Sequence, residues 1–422
     1  MLLNQDENWD GRDRRYFAEY RINRRANQFL KQLFRILVVK TMLKKTIGVY
    51  MPYFMGGGAE AVALWILEAL KEKYDLTLFT FYYPDWEKLN KLYETSLTPK
   101  EVKVVSVLPK SWQGISEFLI SNNPHFRQIA IHLSLRYLKE RAQNYSLVIS
   151  ACNAADLGVP GIQYIHWVKV LEGGKIHQNM PYLNISNFSV DNLKKNLSIS
   201  NSFDVAKAVK EVYGLDSTVI YPPVVIPVKD IAPDQKENAF VISGRLTVDK
   251  SPDFGIKVLK AVRERGFSIK LYITGGAGGA FNKKYQHYIE QLVAENSDWI
   301  QLYKDLPYAD YCNILYKCRY GIHPKKDQFG ISVAEMVRAD IIPFVQKIGG
   351  QTEIVGKHNT ELQFNSMEEA VEKIIAVISN EKKQEELLMS LSHQKSLFSS
   401  EKFQREISQF VDNYFSDNVS ET

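Results

Sequence analysis

The sequence predicts an α/β protein built of two doubly wound, Rossmann-like domains. Three observations carry that expectation. The chain has 422 residues, too many for one hydrophobic core, so two domains of similar size are the default. Short apolar runs rich in β-formers alternate with amphipathic helical stretches, the pattern of parallel sheets covered by helices. The alternation stops once, at Pro222, Pro223, Pro227 and Pro233 with Lys229, Asp230, Asp234 and Lys236, and then begins again.

Taken in order, residues 1–45 form a basic, partly amphipathic N-terminal extension. Arg12, Arg14, Arg15, Arg21, Arg24, Arg25, Lys31 and Arg35 are interleaved there with Tyr16, Phe17, Tyr20, Phe29, Leu30 and Phe34. Two readings stay open: a segment lying on an anionic membrane surface, or a solvated basic extension. Thr46–Pro52 is the first buried strand, Gly56-Gly57-Gly58 a glycine loop, and Ala59–Lys73 a helix with Val62, Ala63, Ile66, Leu67 and Leu70 on one face. Strands are expected at Asp75–Phe81, Val102–Val107, Leu147–Ser150 and Gly161–His166, with Trp112–Glu140 mostly helical. Leu197–Ser202 is a strand entering a helix capped at Asn201 or Ser202, and Thr218–Val224 a strand stopped by two prolines. The domain boundary is placed at 224/225. Beyond it, strands are expected at Ala239–Ser243, Ile269–Thr274, Trp299–Tyr303, Arg319–Ile322 and Ile341–Val345, and the helix from Phe403 to Phe415 closes a last segment, 397–422, that ends in a polar tail.

Composition narrows the function. A hydrophobic content of 45%, a charged content of 24% and a net charge of +5 are those of an ordinary globular protein and do not argue for nucleic acid. Cys152, Cys312 and Cys318 form no CxxC pair and no zinc spacing, which fits a reducing, cytoplasmic compartment. The apolar run Ile36–Val39 is closed by Arg35 and Lys40 far short of the roughly 20 residues a membrane span needs. Neither a transmembrane helix nor a secretory signal is expected.

The candidate site centres on Asp327 to Glu335, two carboxylates eight positions apart with Phe329-Gly330-Ile331 between them at the start of a helix. A helix start exposes unpaired N–H groups and the positive end of the dipole, so it suits a phosphate. Arg245 and Lys250 share one strand-to-helix loop, where both can reach a diphosphate. His166 ends a strand, at the crevice where such sheets bind ligands. Gly57 and Gly58, and the pair Gly349-Gly350, let backbone come close to a ligand. No GxGxxG and no Walker lysine is present, which disfavours a nicotinamide or ATP site.

These motifs resemble the group 1, or family 4, retaining glycosyltransferases of the GT-B fold, from about Thr46 to about Phe415. The glycine loop Gly56-Gly57-Gly58, the Asn201-Ser202 and Pro222-Pro223-Val224 sequences, the Gly244-Arg245-Leu246 loop with Lys250, and Asp327 with Glu335 for a Glu-x7-Glu motif carry it. The resemblance implies an acceptor-binding domain over 46–224 and a nucleotide-sugar-binding domain over 225–396, with the last helix able to pack back on the first domain. It implies Arg245 and Lys250 on the diphosphate, Glu335 on the ribose, Asp327 near the transferred sugar and His166 near its reacting carbon. Transfer is then with retention, no cofactor or metal is needed, and no Asp-x-Asp motif is present to hold a cation. The partners implied are a GDP- or UDP-linked hexose donor and a glycan or lipid-linked acceptor, in cell-surface polysaccharide or glycolipid synthesis at the inner face of the membrane. Two departures stand out: Asp327, one methylene shorter than glutamate, and Asp340, where the family has glycine. The first leaves room for an alternative, a catalytically impaired nucleotide-sugar or glycan-binding protein on the same fold.

Overall fold

Apolar runs without polar interruption become strands buried on both faces, as in Thr46–Tyr50 (β1), where Ile47 and Val49 are fully buried. The computed structural model describes residues 44–172, 182–227, 229, 231–232, 235–276 and 282–419. The basic extension before Lys44, and Asp230, Pro233 and Asp234 of the linker, lie outside the described residues.

After β1 come α1 (Gly58–Leu70), β2 (Asp75–Thr80), α2 (Trp86–Tyr93) and β3 (Val102–Ser106). The long helical stretch is two helices, α3 (Gln113–Asn122) and α4 (Pro124–Lys139). Asn123 makes the break by accepting the N–H groups of His125 and Phe126, and Pro124 starts the new helix where no N–H is needed. Then follow β4 (Leu147–Ser150), β5 (Ile162–Ile165), α5 (Tyr182–Ser186), α6 (Val190–Leu193), β6 (Leu197–Ser200), α7 (Phe203–Tyr213) and β7 (Ser217–Val219). The second run is β8 (Glu237–Ser243), α8 (Pro252–Glu264), β9 (Lys270–Gly275), α9 (Lys283–Glu295), β10 (Ile300–Lys304), α10 (Tyr308–Lys317), β11 (Cys318–His323), α11 (Ile331–Arg338) and β12 (Ile342–Gln346). It ends with α12 (Gln351–Ile354), β13 (Gln363–Phe364), α13 (Met367–Ile378), α14 (Glu381–Lys395) and α15 (Ser400–Val419).

Among the described residues there are two sheets, ordered β3-β2-β1-β4-β5-β6-β7 and β10-β9-β8-β11-β12-β13, and every pairing is parallel. Each sheet therefore has its topological switch beside its first strand, and the crevice lies at the carboxyl ends there. No helix among the described residues is long and apolar enough to cross a membrane.

The last helix returns to the first sheet. Phe403, Ile407, Val411 and Phe415 of α15 are buried in the same core as β1 and α1, and Tyr74 donates its hydroxyl proton to Asp412 at 2.6 Å. The two halves also meet directly. Glu353 accepts the N–H groups of Phe203 (3.0 Å) and Asp204 (2.9 Å), capping α7 from the other sheet's side, while Tyr221 donates to it at 3.1 Å. Asp340 sits at φ 56°, the left-handed region where glycine is the usual choice. Its side chain pairs with Lys395 and its carbonyl accepts from Lys236 at 2.8 Å.

Candidate functional site

β11 ends at His323, and the chain must turn before α11 can pack back on the sheet. Gly330 makes the turn at φ 102°, open to glycine and strained for other residues, so the two acids fall on either side of the start of α11. Gly349 and Gly350 hold the preceding loop from below. A Cβ on them would come within 2.3 Å of the Asp327 carbonyl oxygen and 2.1 Å of that of Gln328. Gly350 N–H donates to the Asp327 carbonyl at 2.9 Å, and Asp327 N–H to Gln351 Oε1 at 2.7 Å.

The Asp327 carboxylate pairs with the Lys250 ammonium, which arrives from the loop between β8 and α8, and lies 3.7 Å from His323 Nε2. Burial opposes its charge, but Lys250 and His323 outweigh that and hold the carboxyl below the usual range. Glu335 lies beyond the first turn of α11, accepting from Tyr311 at 2.6 Å, whose hydroxyl in turn is 2.9 Å from Ser243 Oγ. Burial pushes Glu335 up to about 7.

A cavity of about 250 Å³ separates Glu335, Ile331 and Tyr308 from Gly56, Gly57, Gly58, Trp65 and Tyr93 of the first half. At Gly58 a Cβ would fall 2.3 Å from Ile331 Cδ1, so the absence of a side chain lets the glycine loop close on the start of α11. Glu60 shapes that loop by accepting the N–H groups of Met55 (2.6 Å) and Gly56 (2.7 Å), and its burial pushes it to about 7. A smaller pocket adjoins Gly244, Arg245, Lys250, His323 and Pro324.

Residues 228–388 match the family model of glycosyl transferases group 1. The second half thus carries the family's signature, over the span that holds Arg245, Lys250, Asp327 and Glu335. Solved GT-B glycosyltransferases share the fold over nearly the whole chain. HepE of Anabaena, solved with UDP, with UDP and glucose and with UDP-glucose, superposes with a TM-score of 0.64 at 15% identity, over 87% of this chain and 100% of that one. WaaG, described as a glycosyltransferase involved in lipopolysaccharide biosynthesis, gives 0.59 at 12% identity over 86% and 99%. Sucrose-phosphate synthase of Thermosynechococcus elongatus gives 0.60 at 14% identity over 89% and 100%. No curated protein matches the sequence.

Set on this GT-B frame, the expected residues divide among several places. Gly57, Gly58, Ile331 and Glu335 line the larger cavity, and Arg245 and Lys250 the smaller pocket. His166 lines neither. It follows β5 directly; its Nε2–H donates to the Ala151 carbonyl at 3.0 Å, leaving Nδ1 as an acceptor, and burial pushes its pKa down to about 4, so it is neutral. Its carbonyl accepts from Asn201 at 3.3 Å, and the next residue, Ser202, donates to the Gln328 carbonyl at 2.6 Å, which ties His166 to the Asp327 loop. Phe329 differs from expectation. Its ring is 3% exposed and packs on Tyr221 (5.8 Å) and Phe398 (5.7 Å), so it serves the core, and what it can offer a ligand is backbone. Gly349 and Gly350 likewise make their close approach to the chain's own loop.

Sequence reasoning missed His323, Tyr311 and Glu60. His323 ends a strand just as His166 does, so the same positional argument would have found it. Tyr311 gave no such signal, because its contact with Glu335 depends on how α10 and α11 lie together.

Proposed function

We propose that the protein transfers a hexose, of the mannose or glucose type, from a UDP- or GDP-linked donor to a glycan or lipid-linked acceptor with retention of configuration and without a metal. The observation that carries this reading is the arrangement at α11: a lysine-carboxylate pair beside its first turn and a half-buried carboxylate, Glu335, lining the cavity beyond it. In this reading Lys250, Arg245 and the N–H groups at the start of α11 take the diphosphate and neutralise the charge it gains on leaving. Glu335 accepts the ribose hydroxyls, Asp327 and neutral His166 face the transferred sugar, and the Gly57-Gly58 loop closes over the donor. The departing diphosphate helps deprotonate the acceptor, so no carboxylate nucleophile of the glycosidase kind is required.

HepE, solved with UDP-glucose, supports a nucleotide-sugar in this cleft, and WaaG supports an acceptor in cell-surface polysaccharide or glycolipid synthesis. A cytoplasmic enzyme held at the inner membrane face by its basic extension fits that setting. The test is incubation with UDP-glucose, GDP-mannose and related donors, with donor consumption and product anomer followed by NMR. Donor loss with a retained anomer, unchanged by EDTA, is expected. Failure of every donor to bind at millimolar concentration overturns the reading, and binding without turnover on any acceptor favours the impaired binding protein.

A further inference from the structure

His323 is the one buried imidazole beside the proposed diphosphate pocket that the reading above leaves without a task. It is 3% exposed, at the end of β11, and its Nε2 has no hydrogen-bond partner among the described residues. Its Nδ1 lies 3.5 Å from Ser332 Oγ, a hydroxyl able to donate to it; in that tautomer, the one used below, the ring's own hydrogen is on Nε2. Nε2 faces Asp327 Oδ2 at 3.7 Å, just too far for a hydrogen bond. That same oxygen is the one Lys250 occupies, while Oδ1 accepts the Gln328 N–H at 3.1 Å. One carboxylate oxygen thus has two candidate donors, of which only the long, flexible lysine is engaged.

We propose that His323 is a positioning residue for Asp327: when a donor's diphosphate draws Lys250 away, the imidazole Nε2–H takes over Oδ2 and holds the carboxylate toward the transferred sugar. The inference rests on the glycosyltransferase reading. Asp327 is half-buried, and a carboxylate there that loses its ammonium partner keeps its charge at less cost with a replacement donor; His323 and Lys250 are the titratable groups facing it. The imidazole is fixed by a strand end, so it sets the geometry more sharply than a lysine can. It also suits the shorter acid, because the donor stands right behind Asp327.

The test compares His323→Phe, which keeps a ring and removes the N–H, with His323→Gln, which restores a donor. With UDP-glucose or GDP-mannose, whichever the wild type consumes, His323→Phe is expected to bind UDP or GDP within about twofold of wild type while kcat falls about tenfold or more. His323→Gln is expected to recover most of that loss. Wild-type kcat in His323→Phe, or a glutamine variant as slow as the phenylalanine one while both fold and bind nucleotide, overturns the inference. Should His323→Phe not fold, the wild type labelled with nitrogen-15 at histidine decides. Its Nε2–H resonance is expected to move downfield and exchange more slowly on adding the donor, and an unchanged signal in the saturated complex refutes the role. A wild type that binds no nucleotide-sugar instead overturns the glycosyltransferase reading beneath it.

Discussion

At Glu335 the surroundings set the charge state of one side chain. Burial lifts its pKa to about 7 and the Tyr311 hydroxyl pulls the other way. As pH falls through about 7 the carboxylate protonates, and under the proposed function it becomes a poorer acceptor for the ribose hydroxyls. UDP-glucose affinity is therefore expected to rise between about pH 6 and 8, since the diphosphate diester itself does not titrate there, and to be flat in Glu335→Gln. Calorimetry across that range checks this, and a slope surviving in the glutamine variant contradicts it. Tyr311→Phe removes the stabilising hydrogen bond, so the rise is expected to move to higher pH and affinity at pH 7 to weaken by about 1 kcal/mol. Of these two residues only Glu335 was legible in the sequence. Its spacing from Asp327 is local, whereas Tyr311 reaches it from 24 positions away on another helix.

At the scale of elements, most strands and helices follow from apolar period and breakers. The departures have local causes. The strand expected over Thr218–Val224 shrinks to β7 because Pro222 and Pro223 cannot donate to a ladder, and one long helix becomes α3 and α4 at Asn123-Pro124. The glycine loop was readable as a loop, but what fixes its shape was not, because Glu60 looks like any first-turn acid of a helix. Glu60→Ala leaves the N–H groups of Met55 and Gly56 without their acceptor and is expected to cost about 3 kcal/mol, read as a shift in the urea midpoint. A change under about 0.5 kcal/mol would show that solvent replaces the carboxylate.

At the scale of the whole molecule, α15 packs into the core of the first half. Its apolar face was legible as amphipathic, and its partner is the first half's core, with Phe403 6.2 Å from Tyr164. Phe403→Ala is expected to destabilise the protein by about 4 kcal/mol, because the cavity opens in a core shared by β1 and α15. A thermal melt checks it, and a near-normal melting temperature would mean that α15 is only lightly held. The contact of Glu353 with the start of α7 was invisible in sequence for the same reason: 150 residues separate acceptor from donor. Under the proposed function a nucleotide-sugar binds between these halves. A crystal structure of the protein soaked with its donor tests that most directly. The diphosphate is expected within hydrogen-bond distance of Lys250 and the first turn of α11, and the ribose hydroxyls on Glu335. A nucleotide seated elsewhere, with Lys250 still paired to Asp327 and Glu335 untouched, would contradict it.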